Sequence, residues 1–200
     1  MLFRFALLLT MFFCLAGVSA KQKPAAARFS AAAESAAVAA ESEAERLSLD
    51  WKRESQMRAA ALYAEASNAW NEAGNFPKAA HCLRKLGQIK TIFGEKKEAE
   101  EHFKKALSIA EARNITAEKV KALSALALLA SDGGRIRESD NYLRQALKDK
   151  DRSNDPAARA TALTSAGELQ LYRKKPELAS EYFEKALAEW RAAGDVKGEA

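Results

Sequence analysis

The sequence predicts an all-α solenoid, because one pattern of residues recurs at a fixed interval of 40 positions along most of the chain. Bulky side chains occupy one set of equivalent positions, Phe103, Leu143 and Phe183. Gly or Asn residues interrupt the pattern at the same interval, and no segment shows the strict apolar–polar alternation of a half-buried strand. A fixed period of this size indicates stacked units that each pack on their neighbours.

Small and aliphatic residues repeat in step with the bulky ones, which indicates closely packed helices. Alanine dominates the apolar residues and favours helix formation. Small side chains let two helix backbones approach, and the bulky positions fill the adjoining gap. The sets in register are Ala99, Ser139 and Ala179; Leu83, Leu123 and Leu163; Gly87, Ala127 and Gly167; and the Ala-Leu pairs at 106–107, 146–147 and 186–187.

Each unit is predicted to hold two helices, because two series of breaks alternate along the chain. Gly and Asn readily adopt the left-handed conformation that ends a helix, Pro is tolerated in a first helical turn, and Asp155 is expected to cap the helix that begins at Pro156. The breaks are Gly74, Asn114, Asn154 and Gly194 in one series and Gly94, Gly134 and Lys174 in the other. The predicted helices are Glu54–Ala73, Phe76–Phe93, Glu95–Arg113, Ala117–Ser131, Arg135–Lys150, Pro156–Arg173 and Pro176–Ala193.

Residues 1–20 are predicted to be a secretory signal peptide. Arg4 and the amino terminus supply positive charge, an almost wholly apolar run follows from Phe5 to Val18, and Ala20 ends a small-residue cleavage site. The alternative is an uncleaved membrane anchor, but the run is short for a span of about 20 residues. The protein is therefore expected to be periplasmic or secreted, with no stable membrane span after cleavage.

Residues 21–53 form an Ala-, Ser- and Glu-rich leader that is expected to be a solvated helix or disordered. The 40-residue pattern fades there, and the region around Glu43 to Leu49 is a poor match for the first helix of a unit. The repeats are assigned to residues 54–200. Residues 197–200 are equivalent to residues 157–160, the first turn of another unit, so the last unit is expected to be truncated and the chain to be a fragment of a longer protein.

The charge of the chain does not indicate a nucleic-acid partner. Removing Arg4 with the signal peptide lowers the formal net charge from +5 to +4, and acidic and basic residues are interleaved along the predicted helices. No basic face with interleaved aromatic residues is evident. Cys82 is the only cysteine left after cleavage, so no internal disulfide is expected. It is predicted to be buried as a small hydrophobe, and an intermolecular disulfide is the alternative.

Three stretches in phase resemble the tetratricopeptide repeat (TPR). The first and third stretches match well, and the middle one departs with Ser139 and Leu143 in place of the usual Ala and aromatic residue. The matching residues are Leu83, Leu86, Gly87, Gly94, Ala99, Phe103, Ala106 and Leu107, and then Leu163, Gly167, Pro176, Ala179, Phe183, Ala186 and Leu187. The resemblance implies a right-handed superhelical solenoid of antiparallel helix pairs and a protein or peptide partner.

In that family the first helix of each pair lines a concave groove, which implies a partner-binding surface here. The groove residues carried over are His81, Arg84, Gln88, Thr91, Lys121, Ser124, Leu128, Ser131, Thr161, Thr164, Glu168 and Tyr172. Some relatives clamp a peptide carboxylate with Lys and Asn, and neither stands at the equivalent places. The resemblance therefore does not extend to the recognition of chaperone tails.

No catalytic constellation, cofactor site or metal site is predicted. His81 and His102 lie on successive predicted helices, share no ligand spacing, and are expected to be surface or groove residues. The Asp132-Gly133-Gly134 turn lies between helices and does not follow a strand as a phosphate-binding loop would.

The function predicted is an exported scaffold that binds a partner in the groove, without enzymatic activity in this segment. Two alternatives stay open. The long period and the breaks at residues 70–75 and 190–195 resemble a bacterial subgroup in which many repeats precede a caspase-like CHAT peptidase domain, which here would lie beyond residue 200. The other alternative is a self-associating structural module of the cell envelope.

Overall fold

The computed structural model describes residues 31–194, and these form eight successive helices with no strand among them. The all-α repeat fold is therefore confirmed, and every predicted helix end lies within one residue of the observed one. The helices are α1 (residues 31–48), α2 (Arg53–Glu72), α3 (Phe76–Ile92), α4 (Lys96–Ala112), α5 (Thr116–Asp132), α6 (Ile136–Lys150), α7 (Pro156–Tyr172) and α8 (Pro176–Ala193). The predicted signal segment and residues 195–200 lie outside the described residues.

Helices pack in pairs along the chain, and the odd-numbered helices also pack on one another. α3 pairs with α4, α5 with α6 and α7 with α8, while α5 contacts both α3 and α7. We call the surface formed by α3, α5 and α7 the odd-helix face. It corresponds to the groove side implied by the family resemblance.

The turns follow the predicted breaks with one exception. Six of the seven break residues have a positive φ, which Gly adopts without strain and Asn tolerates. Asn154 does not. α6 stops at Lys150, two residues short of the position equivalent to the end of α4, so a longer link replaces the tight turn. The positive-φ residues are Gly74, Gly94, Asn114, Gly134, Lys174 and Gly194.

The predicted cap of α7 is confirmed. The Asp155 carboxylate accepts a hydrogen bond from the Ala157 backbone N–H at 2.9 Å. This bond satisfies one of the amide groups that a helix start leaves without an intrahelical partner. Asp155 also lies on the odd-helix face, so the cap helps to fix the chemistry of that surface.

The repeated small and bulky positions form the core between paired helices. Phe103 and Leu143 are buried, whereas Phe183 is only half-buried. The small positions Ala99, Ser139 and Ala179 are all buried. The Ser139 hydroxyl has no hydrogen-bond partner among the described residues, which makes it an imperfect substitute for alanine.

The predicted leader, residues 21–53, is described from residue 31 onward and begins there with helix α1. Its packing differs from the solvated or disordered segment that was expected. α1 is a helix, as one of the two expectations stated, but it is solvated on one side only, because Ala37, Ala44 and Leu47 are buried in one cluster with side chains of α2 and α3. The Trp70 indole N–H donates to Glu41 Oε2 at 2.9 Å and fastens α2 to α1. α1 ends 44 residues before Ile92, whereas α3, α5 and α7 end 40 residues apart. The pattern fades there because the residue types change, with Glu43 and Leu47 standing 40 positions before Leu83 and Gly87.

None of the helices within residues 31–194 has the length and apolar character needed to cross a membrane.

Candidate protein-binding face

The twelve predicted groove residues all lie on α3, α5 and α7, but the structure gives them different environments. Toward the starts of these helices the side chains form a network of ion pairs. Toward the ends they surround an open cleft. Some of the twelve are therefore occupied with interactions inside the chain, and others face a space that a partner can enter.

Arg84 and Glu118 form a buried ion pair between α3 and α5. Arg84 Nε donates to Glu118 Oε2 at 3.3 Å, and the two residues are only 8% and 7% exposed. A charged pair at this depth is stable only while both partners are present. Arg84 was expected to line the groove for a partner, and the structure shows that its charge is already used within the protein.

His81 is held next to this pair as a neutral imidazole. The Arg84 guanidinium lies 3.0 Å from His81 Nδ1, and since a guanidinium can only donate, Nδ1 accepts and the ring proton is on Nε2. Burial first, and then the nearby charges of Arg84 and three lysines, lower the pKa of His81 to about 3. His81 is therefore partly buried and uncharged, and it is not a freely solvated groove residue.

Lys121 continues the network toward α7. Its ammonium group lies 2.7 Å from Asp155 Oδ2 and 3.5 Å from Glu118 Oε1. Side chains of alternating charge thus join α3, α5 and the start of α7, in the order Arg84, Glu118, Lys121 and Asp155. The charges at this end of the face are therefore paired within the protein, and none of these four is left over for a charged group of a partner.

Several predicted hydroxyl groups bond to the protein itself. Ser124 is fully buried, and its hydroxyl donates to the Val120 carbonyl at 2.9 Å, so it does not line a groove. Thr91 and Thr161 donate to carbonyls one turn earlier in their own helices. Thr164 Oγ1 accepts a bond of 3.4 Å from the indole N–H of Trp190 in α8. Thr91 nevertheless also lines the cleft described next.

A cleft of about 500 Å³ opens toward the ends of α3, α5 and α7. It brings together five of the predicted residues, namely Gln88, Thr91, Leu128, Glu168 and Tyr172. The remaining lining residues are Ile92, Phe103, Ala125, Leu129 and Asp132. Ser131, which is partly buried, is not among the lining residues.

Exposed apolar groups mark the rim of this cleft. Tyr172 is 68% exposed and Ile92 is 57% exposed, although both are large apolar side chains. Glu168 is half-buried, and burial raises the pKa of its carboxyl above the usual 4.5. We call this site, lined by residues of α3, α5 and α7 and by Phe103 of α4, the acidic cleft.

One group of side chains between α1 and α3 has the composition of a metal site. Ligand atoms of Glu41, Glu45 and His81 lie within 4.8 Å of one another. Cationic side chains already act on two of these residues. Lys78 Nζ lies 3.5 Å from Glu41 Oε2, and Arg84 donates to the His81 nitrogen that is free of a proton. The group therefore resembles an internal ion-pair cluster more closely than a cation site.

The comparisons with known proteins bear on the repeat itself. The family model described as "Tetratricopeptide repeat" matches residues 79–113, which include most of α3 and all of α4. Residues 79–113 therefore match a tetratricopeptide repeat, within the all-α repeat fold described above. No curated protein matches this sequence. Among solved structures, the crystal structure of BtubC (BKLC) from P. vanneervenii matches at 16% identity with a TM-score of 0.46, covering 88% of this chain and 87% of that one.

The TPR-like register could have found two cleft residues that sequence reasoning missed. Ile92, Asp132 and Tyr172 are the last residues of α3, α5 and α7 and lie 40 positions apart. Tyr172 was predicted as a groove residue. Subtracting 40 from its number gives Asp132, and subtracting 40 again gives Ile92. Glu118 was missed for a different reason. Its burial depends on the ion pair with Arg84, and the 40-residue pattern does not predict that pair.

Two further candidate residues, Cys82 and His102, do not contribute to the surface of the odd-helix face. Cys82 is buried, as predicted, and burial raises the pKa of its thiol to about 12, so the reactive thiolate is suppressed. His102 is partly buried on α4, and its Nδ1 has no hydrogen-bond partner among the described residues. His102 also lines two open clefts beside α2 and α3, which agrees with the expected surface or groove position.

Proposed function

We propose that the protein is an exported interaction scaffold that binds a partner protein or peptide on the odd-helix face. One observation carries this proposal: the acidic cleft spans three helices from three successive units and exposes Ile92 and Tyr172 at its rim. Contiguous apolar groups with a few polar groups between them are typical of peptide-binding surfaces. Export is supported by the signal-peptide pattern of residues 1–20.

Site-specific photo-crosslinking tests the proposal. A photoreactive amino acid is placed at Leu128 or at Tyr172 on the odd-helix face, and at the exposed Arg144 of α6 as the matched control. The full-length protein is then irradiated in the cells that produce it. We expect one discrete crosslinked species from positions 128 and 172 and none from position 144. Crosslinks from position 144 alone would contradict the proposed binding face.

A second candidate function is self-association. α8 leaves large apolar side chains uncovered, with Leu178 exposed and Tyr182, Leu187 and Trp190 half-buried. Such side chains favour association when they are contiguous. Light scattering coupled to size exclusion tests this candidate. A monomer mass at all concentrations would contradict it, and a dimer that Leu178→Glu dissociates would support it.

A finer proposal is that these repeats form the recognition region of a longer CHAT-type peptidase. It is supported by the resemblance of the period and of the breaks to that bacterial subgroup. Sequencing the gene beyond the codon for Ala200 tests it. A reading frame that continues into a domain with a His and Cys pair would support the peptidase, and a stop codon at that point would contradict it.

A further inference from the structure

The acidic cleft combines apolar walls with an excess of negative charge. Its walls include Ile92 from α3, Leu128 from α5 and Tyr172 from α7. The charged residues among its described lining are two acids, Asp132 and Glu168, and no Lys, Arg or His is present there. The cleft therefore provides apolar contact and negative potential at the same place.

The two acids differ in how they are compensated. Asp132 is half exposed and lies 2.6 Å from the ammonium group of Lys96. Glu168 is half-buried, and no described residue forms a hydrogen bond or an ion pair with it. Burial raises the pKa of its carboxyl, and no described cation lies at ion-pair distance to offset the loss of solvation.

This lack of a partner is unusual for the odd-helix face. The other acids on this face are paired, Glu118 with Arg84, Asp132 with Lys96 and Asp155 with Lys121. An ionised carboxylate that is partly removed from water is stabilised when a cation approaches it. Glu168 is thus the acid of this face that no described side chain compensates.

We infer that the acidic cleft binds an apolar peptide segment of the partner and places the ammonium or guanidinium group of a Lys or Arg side chain against Glu168. This inference rests on the proposed function and adds the chemistry of the partner. The exposed ring of Tyr172 lies at the same cleft and can cover the aliphatic stem of the basic side chain.

The dimensions of the cleft favour a peptide segment over a small amine. A single basic side chain does not cover a surface that runs from Ile92 on α3 across Leu128 on α5 to Tyr172 on α7. A segment with apolar residues beside the basic one contacts all three helices. The ion-pair network at the other end of the face offers no comparable unpaired charge, so the basic residue is assigned to the cleft end.

The test uses the full-length chain and a random-peptide phage library. Selected sequences are synthesised, and their affinity is measured by fluorescence anisotropy for the wild type and three variants. Glu168→Gln removes the charge with little change of shape. Leu128→Arg fills the cleft and brings its own cation. Glu65→Gln makes the same chemical change on an exposed carboxylate of α2 and is the matched control. Circular dichroism verifies that each variant is folded.

The inference predicts that the selected peptides share a Lys or Arg among apolar residues. Glu168→Gln should weaken their binding about tenfold or more, because a charge-assisted hydrogen bond is lost. Glu65→Gln should change it by less than about twofold. A peptide in which norleucine replaces Lys, or citrulline replaces Arg, should bind weakly and equally to the wild type and to Glu168→Gln.

Two other outcomes separate this inference from the proposed function. Peptides that Leu128→Arg excludes but Glu168→Gln does not affect would overturn the basic-residue inference and leave the binding face standing. A library that yields no binder, or only binders indifferent to Leu128→Arg, would overturn both.

Discussion

The ring of Phe183 in α8 lies directly on the backbone of Gly167 in α7, so that a Cβ built at residue 167 would meet the ring at 2.5 Å. The pair of helices α3 and α4 repeats this arrangement. A Cβ built at Gly87 would lie 2.6 Å from the ring of Phe103. In the unit between them, Ala127 occurs where the others have Gly and Leu143 where they have Phe. The small and the large position therefore change together.

Gly87→Ala should destabilise the protein even though alanine favours helices. The added methyl group overlaps a buried ring, and overpacking of this kind costs about 1–3 kcal/mol. Chemical denaturation measures the loss. The double variant Gly87→Ala with Phe103→Leu copies the natural Ala127 and Leu143 pair, so it should lose less than the two single changes added together. Strict additivity would show that the two positions are independent.

Phe103→Ala should cost more stability than Phe183→Ala. Phe103 is buried, and truncation of a buried Phe costs about 3–5 kcal/mol. Phe183 occupies the equivalent position but is half-buried, so less apolar surface returns to water when it is removed. Denaturation midpoints of the two variants give the comparison. Equal losses would mean that Phe183 is covered by something outside residues 31–194.

Ser139→Ala should stabilise the protein by about 1 kcal/mol, because a buried hydroxyl without a partner loses its hydration and gains nothing. The equivalent residues Ala99 and Ala179 show that a methyl group fits this position. The control is Ser108→Ala on the exposed surface of α4, which should change the midpoint little. A loss of stability in Ser139→Ala would reveal a hydrogen bond that the hydroxyl makes through water.

Glu118→Ala should lower the free energy of unfolding by about 3 kcal/mol, since it leaves the buried Arg84 guanidinium without its counterion. Glu43→Ala removes the partner of Arg46 in an exposed pair and should cost less than about 1 kcal/mol. Similar costs for the two variants would mean that water reaches Arg84 and solvates it.

Glu168 should make the protein less stable as the pH rises. Its folded pKa lies above the 4.5 of an unperturbed Glu, so the native state holds this proton more tightly than the unfolded state does. The stabilisation from that proton is fully present below about pH 4.5 and is lost as the pH rises through the folded pKa. The stability of the wild type relative to Glu168→Gln should therefore decline through this window. A difference that stays constant with pH would contradict the assigned burial of the carboxyl.

The repeat made most of the helical fold predictable from sequence. Helices α2 to α8 each carry apolar positions in register, and all of them except α6 end within two residues of one that adopts a positive φ. The repeat did not reveal α1 because Glu43 and Leu47 stand 40 positions before Leu83 and Gly87, so the residue types do not match even though Leu47 is buried. Packing against α2 and α3 decides its position, and a periodic pattern does not record that packing.

The candidate site was predictable only in part. Position in the repeat identified which helices form the face, and it placed Leu128, Glu168 and Tyr172 at the cleft. It did not distinguish an open residue from one already paired, since Arg84 and Glu168 occupy the same face and differ only in having a neighbour of opposite charge. That difference arises from contacts between units.

Because the acidic cleft takes its walls from α3, α5 and α7, no single unit of 40 residues contains it. Duplicating or deleting one unit would preserve the stacking of the helices but bring different side chains to the same place. The specificity of this surface therefore depends on the order of the units as much as on their composition. Gene rearrangements that add, remove or reorder units would therefore change the binding specificity of the face while they preserve the fold.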